Sequence, residues 1–141
     1  MMDSVQKRQL AVFKNSCRVY QKECERSLKL QFLYPDLKEM VQIDEHGEIH
    51  ETAPVFLIGY SVDPMMIKEY EFILYDIWFV EDQMNAIEKY CGTEAKEICN
   101  DLFVKQQTQE ICAHDHGMTR DQLQHHLNQW LQQSFGAPRD E

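Results

Sequence analysis

Apolar residues recur along this chain at two periods, and the places where the period changes divide it into elements. From about Ser4 to Arg26, the residues Leu10, Phe13, Cys17, Tyr20 and Cys24 step alternately by three and four. That spacing puts one apolar stripe along a helix, in the manner of a coiled-coil seam; it lasts only about two heptads, so the stripe either packs on the chain's own domain or pairs between molecules. Lys14, Arg18, Lys22 and Arg26 step by four along the outside of the same helix. Between Leu28 and Asp63 the period shortens. Val41, Ile43 and Ile49 flank the polar stretch Asp44-Glu45-His46-Gly47-Glu48, which predicts a hairpin. The apolar run from Pro54 to Tyr60 predicts a third, buried strand. The alternating stretch Leu28 to Phe32 reads either as strand or as a continuation of the first helix.

Asp63-Pro64 is a helix start, a capping carboxylate followed by proline at the first helical position. The positions Ile67, Tyr70, Ile73 or Leu74, Ile77 or Trp78, Met84, Ile87 and Tyr90 then predict a central helix reaching Gly92. Its middle, residues 70–80, is rich in aromatic and β-branched residues that also suit a strand. The helix is preferred because no turn residue interrupts it and the helical period holds at both ends.

Three shorter helical patterns follow. Thr93 is placed to cap a helix carrying Ala95, Ile98, Cys99, Leu102 and Phe103. Gln106-Gln107-Thr108 interrupts it, and Thr108 is placed to cap a second helix with Ile111, Cys112 and Ala113. His116-Gly117-Met118 forms a turn. Thr119 and Gln122 form a capping box for a third helix with Leu123, Leu127, Trp130 and Leu131 on its buried face, ending at Gly136. The expected fold is therefore α+β and mostly α: a long N-terminal helix, a small antiparallel hairpin or three-stranded insert, a central helix, and a C-terminal tri-helical unit. The boundary is expected between residues 1–91 and 92–136 of one compact domain, with 137–141 a disordered tail.

The stretch Gln109 to Leu123 resembles the helix-turn-helix superfamily. Ala113 is the small residue that lets the two helices approach, and Gly117 permits the left-handed turn. Met118 is the apolar residue after that glycine, and Leu123 anchors the second helix. His126 stands where such units usually carry an apolar residue, with Leu127 beside it. With helix 94–105 the resemblance implies a tri-helical core similar to that of sigma-factor and response-regulator DNA-binding domains. It also implies that Thr119, Arg120, Gln122, Gln124 and His125 face a major groove, where glutamine can read adenine edges. Lys14, Arg18, Lys22 and Arg26 would then meet phosphates.

Charge works against that implication. The chain carries a net charge of −10, split between +4 over residues 1–29 and −14 over residues 30–141. Residues 92–137 hold six acids against three bases. Phosphate contacts from Lys and Arg supply most of the affinity for DNA, and an acidic body repels it at long range. The lead expectation is thus a non-catalytic, acidic regulatory or protein-interaction protein, such as an adaptor, inhibitor or immunity-like protein. It would use the seam Leu10, Phe13, Cys17, Tyr20 and Cys24 against a protein partner or a second copy in a homodimer. A helix-turn-helix DNA-binding transcriptional regulator is the alternative.

The remaining chemistry narrows the field further. Five cysteines, mostly at apolar helix positions, suit buried thiols in a reducing compartment, which points to the cytoplasm. No run approaches the roughly 18 apolar residues of a membrane span, and no secretory signal is visible. His46-Gly-Glu-Ile-His50 has its glutamate in the wrong place for a zincin. Cys112, His114, His116 and His125 or His126 match no standard zinc spacing, and successive helical residues point about 100° apart. The carboxylate pairs Glu81/Asp82 and Glu69/Glu71 read as solvated. No catalytic residue, metal, cofactor or small-molecule substrate is therefore expected.

Overall fold

The computed structural model describes residues 2–52 and 62–135. The chain is mostly helical with one small antiparallel sheet, as expected. It forms two compact units, one built from residues 1–18 and 80–141 and the other from residues 19–79. The expected boundary near residue 91 is not where they part. Helix α1 (Ser4–Leu33) and helix α3 (Pro64–Cys91) each contribute to both.

Helix α1 opens on a capping box formed by Asp3 and Gln6. Gln6 donates its backbone N–H to Asp3 Oδ1 (2.8 Å), and Asp3 donates its own to Gln6 Oε1 (3.0 Å). The alternating stretch Leu28 to Phe32 continues this helix. Leu30 is buried while Leu28 and Phe32 face outward, which a helical period also satisfies.

In the 19–79 unit, α2 (Leu37–Met40) leads into β1 (Val41–Ile43), which pairs antiparallel with β2 (Ile49–Glu51). The register sets Val41 opposite Glu51, Gln42 opposite His50 and Ile43 opposite Ile49. The hairpin turns on Asp44, whose Oδ1 accepts from the N–H groups of His46 (2.8 Å) and Glu48 (3.0 Å). Gly47 supplies the left-handed residue at φ +81°. The third strand expected at 54–60 lies outside the described residues. Helix α3 begins as its sequence predicts, with the Met65 N–H donated to Asp63 Oδ1 at 2.9 Å. Its β-prone middle is helical because Tyr70 and Ile73 share one buried stripe with Ile67. They pack with Leu30, Leu37, Val41 and Val62, and burial overrides intrinsic preference.

In the other unit, α4 (Thr93–Cys99) runs into a π-helical segment (Asn100–Val104), followed by α5 (Gln109–Asp115) and α6 (Arg120–Phe135). Thr93 does not cap α4. Gly92 takes that position at φ +103°, and the Thr93 hydroxyl donates to Glu88 instead. Thr108 does cap α5, accepting from the Ile111 N–H at 3.2 Å. Thr119 and Gln122 form the reciprocal box at the start of α6, at 3.1 and 2.9 Å. Gly117 sits in the turn at φ +70°. Leu123, Leu127 and Leu131 are buried, whereas Trp130 is only half-buried. His126 stays exposed and stacks on the Trp130 ring at 5.6 Å between centroids. Among the described residues, no helix is long and apolar enough to cross a membrane.

Candidate functional site

Two of the five residues in the apolar seam of α1 are buried in the chain's own core. Phe13 and Cys17 are 0% exposed, and Leu10, Tyr20 and Cys24 are half-buried. Phe13 meets Phe103 and Phe135 edge-on, with centroids 6.0 and 5.7 Å apart. A side chain so placed offers no surface to a partner, so the expected interface at Phe13 and Cys17 is corrected to core.

The basic stripe is likewise largely engaged within the molecule. Arg26 grips Glu69 through two bonds of 2.7 and 3.1 Å, a fork-on-carboxylate geometry. That pair also removes Glu69 from the carboxylates expected to be solvated. Arg18 donates to Asn15 Oδ1 at 2.7 Å, and Lys14 lies 5.3 Å above the Phe103 ring. Lys22 is exposed. On α6, Arg120 is tied to Glu110 (3.0 Å) and Gln109 (3.3 Å). Thr119 and Gln122 are bonded to each other in the cap, and Gln124 donates to Asn128 Oδ1 at 3.0 Å. His125 is exposed beside His126. Of the residues expected to read or clamp DNA, Arg26, Arg120, Thr119 and Gln122 therefore have other bonds to break first.

Three of the expected site residues do converge, at a place the sequence did not single out. Leu10 and Lys14 of α1 and Gln124 of α6 line a cavity of about 300 Å³ within the unit of residues 1–18 and 80–141. Leu102 and Phe103 of the π-helical segment and Leu127 and Leu131 of α6 supply its apolar wall. Gln107, Gln109, Asn128 and Gln132 add amides, and Lys14 is the single charged side chain among the described lining residues. Gln107 is positioned by an abrupt chain reversal. Its N–H bonds the Asp101 carbonyl at 3.0 Å, and the preceding Gln106 is held at φ +61°. A non-glycine residue in that region is strained. Gln107 Oε1 is buried and has no hydrogen-bond partner. The only signal for this groove in the sequence was the density of glutamine and asparagine over residues 106–109 and 122–133, which reads equally as ordinary polar surface.

The cysteines remain thiols. Burial pushes Cys99 up to about 12, helped by Cys91, Cys17 and Cys112, and burial raises Cys91 as well. Cys112 is raised by burial and then by Asp101 and Asp115. A thiol held protonated is a poor nucleophile.

Comparison of this chain with protein-family models, with curated proteins and with solved structures found no match.

Proposed function

We propose that this chain is a non-catalytic protein-interaction module that holds an apolar segment of a partner protein in the α1–α6 groove. The observation that carries this reading is the cavity itself, whose wall is apolar and whose polar groups are, apart from Lys14, mostly side-chain amides. Side-chain amides both donate and accept, so they suit a peptide backbone, and Lys14 can donate to a carbonyl oxygen. The net charge of −10 favours a partner that is basic overall.

Selection of short peptides on the full-length protein tests this. The selected set is expected to converge on an apolar motif flanked by basic residues. Leu10→Glu, which puts a charge on the apolar lining, should weaken binding by at least about tenfold, while Lys22→Ala leaves it unchanged. Failure to converge, or affinity indifferent to Leu10, would overturn the reading. The helix-turn-helix alternative rests on the Gly117 turn and the Thr119–Gln122 box. It requires a mobility shift on DNA at low salt that weakens steeply as salt rises and is lost in Arg120→Ala.

A further inference from the structure

The reversal that positions Gln107 also brings together three side chains from outside the groove. Cys112 lies in α5 and is fully buried. His116 is the C-cap of that helix, four residues on, so both project from the same side one turn apart. Asp101 lies eleven residues before Cys112, in the π-helical segment, where the Lys105 N–H bonds the Asn100 carbonyl at 3.0 Å. A π turn inside a helix is rare and occurs frequently at functional sites. His116 Nε2 lies 3.0 Å from Asp101 Oδ2, and both side chains are largely shielded, at 16% and 17% exposure. One donor atom from each of Asp101, Cys112 and His116 lies within 4.8 Å of the others.

From this geometry we propose that Asp101, Cys112 and His116 form a Zn²⁺ site with three protein ligands and a fourth position for water or an exogenous donor. The donor set is an oxygen, a nitrogen and a sulfur, the types zinc takes. Bonds of about 2.0–2.3 Å around a tetrahedral ion place ligand atoms roughly 3.3–3.6 Å apart, close to the spacing already present between His116 and Asp101. The other oxygen of Asp101 lies 3.4 Å from Lys105 Nζ, which orients the carboxylate from behind, as outer partners of metal ligands do. On binding, the Cys112 thiol releases its proton to solvent and the sulfur binds as thiolate. The site is separate from the exposed His114 and from the His125–His126 pair. It stands or falls independently of peptide binding in the groove.

Co²⁺ titration of the reduced full-length protein tests the assignment, with Zn²⁺ as competitor. One Co²⁺ per chain is expected, with thiolate-to-cobalt charge transfer and the visible bands of tetrahedral cobalt, both removed by added Zn²⁺. Asp101→Asn and His116→Ala should each weaken binding by at least about tenfold, a typical loss even for an outer partner of a metal ligand. His114→Ala should leave it unchanged. Because Cys112 is in the core, its serine variant could fail to fold. Asp101→Asn and His116→Ala, checked for folding by circular dichroism without metal, keep the test decisive. Absence of the charge-transfer band in the wild type would overturn the proposal. So would binding unchanged in His116→Ala, or binding lost equally in His114→Ala.

Discussion

Glu23, Glu71 and Asp44, with Glu69 lowered by its bond to Arg26 in the same sense as Asp44, give the stability of the 19–79 unit a pH dependence of two opposite signs. Glu23 faces Asp76, with its Oε1 buried and unbonded. Desolvation first, and Asp76 second, push it from 4.5 to about 8. Glu71 is raised to about 7 by burial and then by Glu51, so this member of the pair expected to be solvated is not simply solvated. An acid that holds its proton more tightly when folded stabilises the fold fully below its unfolded pKa and loses that contribution as pH rises through the folded value. Asp44 runs the other way. The His50 hydrogen bond first, and the Glu48 and His46 N–H groups, lower it from 3.8 to about 2. Its contribution is present above 3.8 and lost as pH falls towards 2. The melting temperature is therefore expected to peak between the unfolded values of 3.8 and 4.5, and to decline towards pH 8. Glu23→Gln, which keeps a donor beside Asp76 but cannot ionise, should flatten part of that decline and raise the melting temperature at pH 8. A decline of unchanged slope in the variant would show that Glu23 is not the group responsible.

At the scale of elements, turns and caps decide where helices stop, and one turn is pinned from outside itself. A Cβ built on Gly47 would lie 2.6 Å from the Trp78 ring, and the residue's φ is +81°. Trp78 in turn donates its indole N–H to the Glu45 carbonyl at 3.2 Å. Gly47→Ala should therefore displace the indole, shift Trp78 fluorescence and cost on the order of 1–3 kcal/mol in urea unfolding, the range for a strained backbone position. The same elements show how much the sequence discloses. Asp63-Pro64, Thr108 and the Thr119–Gln122 box act through bonds spanning three residues or fewer, so their effect was legible in the linear order. Thr93 misled because the left-handed Gly92 took the cap from the residue chemically suited to it. The groove and the Asp101–Cys112–His116 grouping were not legible. Both depend on the π-helical segment and the Gln106 reversal, which bring together residues eleven or more positions apart and leave no periodic trace. The period of the α1 seam was legible but its occupant, the chain's own core or a partner, was not, since a stripe pattern says that a face is covered and not by what.

For the molecule as a whole, the tri-helical unit is not self-sufficient. Phe13 fills the space between Phe103 and Phe135, so α1 completes the core that α4, α5 and α6 begin. Phe13→Ala should cost about 3–5 kcal/mol, as for other buried phenylalanines. A fragment of residues 92–135 should give the circular dichroism of a largely unfolded chain until a peptide of residues 2–18 is added. A fragment that melts cooperatively alone would contradict this. The discontinuity of that unit also sets an order of events on the ribosome. Residues 19–79 are contiguous and can collapse as soon as they emerge, at roughly 5–20 residues per second. Phe13 and Cys17 must wait, uncovered, until the strand of nascent chain carrying α6 has been released. For those seconds the apolar surface of the first turns of α1 exists before the residues that bury it, which marks it as a segment a chaperone would hold.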